Sequence, residues 1–183
     1  MSLRCSVFIA VSLDGFISRK DGSIDWLDKA NLTVPSGEDF GYHAFFGTVD
    51  ALVMGRGTFD TVIAFPEWFY KEKPVIVLSK TMAALPAAAP STVSLSGEAP
   101  EELVARLAKE GMTRLYIDGG LTIQSFLAAG LIDDFTITTI PVVIGSGRPL
   151  FSDSGTEQWL EHVSTQAYPC GFVQSRYRVL RPS

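Results

Sequence analysis

Short continuous apolar runs alternate with segments of helical spacing along most of this chain. Leu3 to Val11 is almost uninterruptedly apolar and β-rich, which predicts a first strand buried on both faces and central in a sheet. A polar stretch follows, from Ser12-Leu13-Asp14-Gly15 through Ser18–Ser23 to Ile24-Asp25-Trp26-Leu27. It predicts a long loop that returns to apolar residues before it ends, and loops of that length inside compact domains often carry function. Phe40, Tyr42, Phe45, Phe46 and Val49 predict a helix over Glu38–Val49, with Ser36 or Gly37 at its start. Ala51–Met54 then predicts a short buried strand, Thr58–Phe65 a helix ended by Pro66, and Pro74–Leu78 a second buried strand, together a parallel crossover.

The second half repeats this grammar. A short strand at Thr92–Leu95 precedes a helix with Pro100 near its first position, Glu101 and Glu102 in its first turn and Gly111 past its end. Arg114–Ile117 is the next strand; Asp118-Gly119-Gly120 turns straight into a helix from Leu121 to Ala129, stopped by Gly130. Phe135–Ile140 alternates as a half-buried strand does, and Pro141–Phe151 runs into a glycine-rich loop. Leu160–Tyr168 and Phe172–Leu180 read as an antiparallel hairpin turned by Gly171. The sum is about eight strands and four helices in a single α/β domain over 1–183, its sheet mostly parallel with an antiparallel end.

Composition narrows the partners. With 15 basic and 20 acidic residues interspersed and a net charge of −5, a general nucleic-acid-binding face is not expected, so an anion would be held by local cations. The two cysteines, Cys5 and Cys170, lie outside any ligand spacing and read as small core residues in a reducing compartment. His43 and His162 have no metal-ligand neighbours, so no metal site is expected. Without an apolar run of membrane-spanning length or a leader-like start, the expectation is a soluble cytoplasmic protein that touches no membrane.

Candidate chemistry collects at strand-to-helix turns, because ligands of open α/β sheets bind beyond the carboxyl ends of the strands. Gly55-Arg56-Gly57-Thr58 offers two glycines, a cation and a hydroxyl at a helix N-terminus. Read alone, it is either a phosphate grip or a plain glycine-rich turn with an ordinary salt bridge. Leu78-Ser79-Lys80 and Gly119-Gly120-Leu121-Thr122-Ile123 add a hydroxyl, a cation and further amides, and the three together predict a dinucleotide site. The strand Val75–Leu78 ends in Ser-Lys rather than Asp or Glu, and Arg56 is close by, so NADPH is expected over NADH; read singly, Lys80 is equally a solvated surface lysine. There is no G-x-G-x-x-G after the first strand, no Walker lysine motif and no G-x-S-x-G elbow.

Ser12-Leu13-Asp14-Gly15, Val53 through Phe59, Val77 through Lys80, Ile117 through Gly120 and Pro141 through Phe151, in this order, resemble the dihydrofolate-reductase-like superfamily. The nearest resemblance is to its riboflavin-biosynthesis reductase branch, the RibD C-terminal domain. The resemblance implies a three-layer α/β fold with a mostly parallel eight-stranded sheet and a C-terminal hairpin, NADPH across the three turns, and a homodimer. It implies that Gly55, Arg56, Gly57 and Thr58 hold phosphate, Leu78, Ser79 and Lys80 the adenosine 2′-phosphate side, and Gly119 to Ile123 the pyrophosphate. Substrate would lie between the Asp14–Trp26 loop, the helix carrying Tyr42 and the Gly145–Gly147 turn. Asp14 and Asp39 are the carboxylates implied for substrate chemistry, Asp39 being equally a helix cap and Asp14 a turn residue. The activity so implied is reduction of a small nitrogen heterocycle, like that of 5-amino-6-(5-phosphoribosylamino)uracil reductase. A divergent dihydrofolate reductase and a non-catalytic NADPH-binding module are the alternatives.

Overall fold

The computed structural model describes residues 3–153 and 157–181. The first strand, β1 (Arg4–Ser12), is as central as its apolar run predicts, lying between β6 (Arg114–Asp118) and β7 (Ile132–Ile140) and parallel to both. On the β6 side follow β3 (Ala51–Gly55), β4 (Val75–Leu78) and β5 (Val93–Ser96), all parallel. On the β7 side, β10 (Val173–Val179) and β9 (Leu160–Ala167) close the sheet as an antiparallel hairpin, giving the order β5-β4-β3-β6-β1-β7-β10-β9. A separate two-stranded ribbon pairs β2 (Phe16–Ser18) with β8 (Arg148–Pro149).

Alternation along the strands sends two sets of side chains to opposite faces. Val7 and Val11 of β1, Ala51 and Val53 of β3 and Leu115 and Ile117 of β6 join Leu103 and Leu107 of α4 (Pro100–Lys109) and Ile123 and Phe126 of α5 (Gly120–Ala128). The i,i+4 pair Leu103 and Leu107 is fully buried, worth roughly 1.5–3 kcal/mol for each side chain. The other face joins Leu52, Met54 and Tyr116 to Phe45 and Phe46 of α2 (Tyr42–Gly47) and Phe59 of α3 (Arg56–Ile63). Beside them, Trp26 of α1 (Asp25–Asn31) packs on Ile140 and Phe172. The result is the expected three-layer, dihydrofolate-reductase-like arrangement.

The elements differ from expectation in three places. The described residues hold ten strands and five helices rather than about eight and four, because the loop after β1 contains β2 and α1 and the Pro141–Phe151 segment contributes β8. The helix expected over Glu38–Val49 is shortened to Tyr42–Gly47. Phe40 and Gly41 both take positive φ, 55° and 81°, and break the helical path, while Glu38 and Asp39 accept from the Phe40 and Gly41 amides to hold a tight turn. The helix after β3 starts at Arg56, two residues before the expected Thr58.

Candidate functional site

A cleft of about 1060 Å³ opens at the carboxyl ends of β3, β4 and β6, bounded on its far side by the β2–β8 ribbon. Strands β3 and β6 are neighbours, and each passes through glycine directly into a helix, so α3 and α5 start side by side. The two turns interlock. A Cβ on Gly55 would stand 2.8 Å from Thr122 Oγ1, and one on Gly119 would collide with Thr58 Oγ1. Each hydroxyl thus occupies the place a side chain would take on the opposite turn. Neither helix has a side-chain cap among the described residues, which leaves first-turn N–H groups of both facing the cleft, suited to an anion.

Gly55, Arg56, Gly57, Thr58, Leu78, Gly119, Gly120, Leu121 and Thr122 all line this cleft, so most of the residues expected to hold the cofactor come together. Ile123 lies buried under them in the core, and Ser79 and Lys80 continue past the cleft wall from the end of β4. Ser79 accepts from the Thr81 and Met82 amides and shapes its own turn, while Lys80 is exposed. Arg56 reaches Asp60 one turn on at 3.4 Å, an exposed pair worth little that leaves its guanidinium able to exchange partners.

The substrate-side expectations divide differently. Gly147 lines the cleft, and no Cβ fits there against the Ser18 carbonyl. Trp26, Tyr42 and Gly145 do not line it. Trp26 is a core residue under the hairpin, while Ile24 and Leu27 beside it face the cleft. Tyr42 sits in an aromatic cluster with Phe8, Phe46 and Tyr116, where burial first and the Asp118 charge second push its phenol well up.

Asp39 is drawn away from the cleft: its carboxylate accepts from the Gly41 and His43 amides and lies 2.6 Å from His43 Nδ1, the helix-capping alternative rather than a substrate contact. Asp14 is spent too, accepting from the Ile144 and Gly145 amides at 3.2 and 2.8 Å and tying the loop after β1 to the Pro141–Gly147 loop. Hydrogen bonds from Ser12 and these amides hold it below the usual carboxylate range. Asp14→Ala is therefore expected to speed proteolytic cleavage within 13–24 while leaving the global melting temperature nearly unchanged, checked by timed proteolysis and a thermal melt.

Among the described acidic residues, the one that lines the cleft is Asp118, at the end of β6. Its hydrogen bond comes from the adjoining Gly119 amide at 2.8 Å, and burial pushes its pKa up from 3.8 to about 6. A carboxyl group that titrates near neutrality in a cleft can carry a proton to a reacting atom. In the sequence Asp118 belongs to a glycine turn, and the signal it carries is that of a lone acid ending a buried apolar strand. Arg148 also lines the cleft, brought there by β8, and nothing local in the sequence signals that placement.

Residues 5–174 match the family described as RibD C-terminal domain. A crystal structure from Shewanella sp. PV-4, provisionally named as a riboflavin biosynthesis protein, is 39% identical. It superposes with a TM-score of 0.91, covering 98% of this chain and 100% of that one. A diaminohydroxyphosphoribosylaminopyrimidine deaminase/5-amino-6-(5-phosphoribosylamino)uracil reductase from Thermotoga maritima is 16% identical with a TM-score of 0.72; the match covers 98% of this chain and 57% of that longer one. Dihydrofolate reductase from Enterococcus faecalis, complexed with NADP(H) and RAB-propyl, is 17% identical with a TM-score of 0.62, covering 96% of this chain and 96% of that one. These last two likenesses are of fold.

Proposed function

The chain belongs to the RibD C-terminal domain family, and on that premise we propose that it is an NADPH-dependent reductase of a small nitrogen heterocycle. The observation that carries this reading is the pair of interlocked glycine turns, which set two uncapped helix N-termini and the titratable Asp118 around one cleft. The donor set fits a dinucleotide: backbone amides next to glycine for closely approaching phosphates, Arg56 as counter-charge, and Ser79-Lys80 beyond β4 for a 2′-phosphate. When bound, NADPH supplies a hydride for a C=N or C=O bond.

In this reading the chain's own residues do the rest. The apolar wall of Ile9, Ala10, Ile17 and Leu27 receives flat rings and excludes water. Asp118 holds the proton that neutralises the nitrogen or oxygen as it gains electrons, and a pKa of about 6 keeps that proton both available and transferable. The pteridine alternative needs Asp39 in the pocket, and its carboxylate is engaged at the start of α2 instead. The homodimer implied by the resemblance is part of the same reading, and sedimentation measures it.

The test is NADPH oxidation with 5-amino-6-(5-phosphoribosylamino)uracil and with dihydrofolate in parallel, together with titration of NADPH and NADH. Turnover of the aminouracil and tighter binding of NADPH are expected. Activity on dihydrofolate that Asp39→Asn abolishes would overturn the substrate assignment. NADPH binding without oxidation of either compound would reduce the protein to a binding module.

A further inference from the structure

Arg148 has an unusual setting for a surface arginine. It lies on β8, whose only strand partner is β2, with Ser18 paired to Arg148 itself. The ribbon is fastened on two sides. The Leu150 amide donates to the Gly15 carbonyl at 3.0 Å, and Gln124 Nε2 of α5 donates to the carbonyls of Pro149 and Leu150 at 2.9 and 3.2 Å. These bonds hold the exposed Arg148 at the edge of the cleft, which it helps to line.

The guanidinium ends between two glycines of different elements. Its Nη1 and Nη2 pass 3.4 and 3.5 Å from the point where a Cβ on Gly22 would stand, and Nη1 lies 3.6 Å from the corresponding point on Gly57, in the first turn of α3. Nε donates to the Lys20 carbonyl at 3.2 Å, and among the described residues no carboxylate lies within ion-pairing distance of Arg148. Among the described residues, a cation without an ion-pair partner thus stands beside the start of α3, on a strand held against the start of α5.

We propose that Arg148 is a binding residue for the bridging diphosphate of the dinucleotide, reaching it from beside the first turn of α3. The inference rests on the dinucleotide reading given above. Position selects the diphosphate over the 2′-phosphate. Arg148 stands beside the first turn of α3, on a strand whose Pro149 carbonyl adjoins Gly120, whereas Ser79 and Lys80 lie one strand further out at the end of β4. The planar fork of an arginine can give two parallel N–H donors to adjacent phosphate oxygens while Nε keeps the Lys20 carbonyl. Gly22 and Gly57 leave open the approach that any side chain would narrow.

The experiment is titration of the full chain and of Arg148→Gln and Arg148→Lys with NADPH, NADH and adenosine 2′-monophosphate, at several salt concentrations. Arg148→Gln is expected to weaken NADPH and NADH by the same factor, about ten- to a hundredfold, while leaving adenosine 2′-monophosphate unchanged. Its salt dependence should become shallower, and Arg148→Lys should restore the slope with only part of the affinity; a loop-holding role alone would not move that slope. Thermal melts of both variants establish that they are folded. A loss confined to NADPH and shared by adenosine 2′-monophosphate would overturn the assignment in favour of the 2′-phosphate. Unchanged binding of both dinucleotides would overturn it outright. Failure of the unaltered protein to bind either dinucleotide would overturn the dinucleotide reading itself and this inference with it.

Discussion

Asp118→Asn is expected to remove turnover and, at pH 8, to raise the melting temperature. The two effects have one cause. Burial lifts the Asp118 pKa from 3.8 to about 6, so the folded protein holds this proton more tightly than the unfolded chain does. The associated stability is fully present below about pH 4 and is lost as pH rises through about 6; above that, an ionised carboxylate sits in a site that disfavours it. The rise from 3.8 to about 6 makes that loss about 3 kcal/mol. Asparagine keeps an oxygen for the Gly119 amide and carries no charge, so the variant should gain roughly 5–10 °C at pH 8 and almost nothing at pH 4. Its turnover should fall about 10²- to 10⁴-fold, the usual worth of a positioned acid. Melting curves across that pH range and steady-state rates check both. A stability gain independent of pH would show that Asp118 does not titrate as described. In the unaltered protein, the rate of a step limited by this acid should decline above about pH 6.

The second large effect lies at the interlocked turns, where two glycine-to-alanine changes should behave oppositely toward rescue. Gly55 has φ −80° and ψ 164°, an extended conformation any residue adopts, so alanine fails there only through its Cβ, 2.8 Å from Thr122 Oγ1. Removing that hydroxyl with Thr122→Ala should recover most of a loss of about 1–3 kcal/mol. Gly119 also meets a threonine hydroxyl, that of Thr58, but its φ is +88°. Alanine at 119 carries backbone strain in addition to the collision, so Thr58→Ala should leave most of the damage in place. Urea unfolding of the single and double variants measures both cycles. Full rescue of Gly119→Ala by Thr58→Ala would mean that contact, and not backbone conformation, requires the glycine.

The two turns were legible because their signals are local: a buried apolar run, then glycine, then helical spacing. The same holds for α4, whose Pro100, Glu102 and Gly111 mark both ends; Glu102 accepts from the Ala99 amide at 3.1 Å. Misreadings arose where the outcome depends on distant contacts or on backbone sign. Helical spacing from Phe40 to Val49 is real, yet positive φ at Phe40 and Gly41 delays the helix to Tyr42, and no hydropathy pattern encodes the sign of φ. Trp26 looked like a ligand-facing aromatic at the end of a polar loop, but α1 turns it into the core beneath Phe172, almost 150 residues later in the chain. Asp14 appeared chemically free because its partners, the Ile144 and Gly145 amides, are 130 and 131 positions away. Arg148 belongs to the same class, since its place depends on a two-residue strand finding β2.

The central position of β1 also fixes a timetable. It is the first strand in the chain, yet both its neighbours, β6 and β7, begin at Arg114 and Ile132. A nascent chain therefore carries this central strand unpaired for roughly a hundred residues of synthesis, while β3 and β4 can already pair with each other. Late closure of such distant parallel partners is slow and exposes an aggregation-prone segment in the interim. Refolding should accordingly have its main barrier at the docking of β1 between β6 and β7, and dilution or a chaperone that shields the N-terminal segment should raise the yield of native protein.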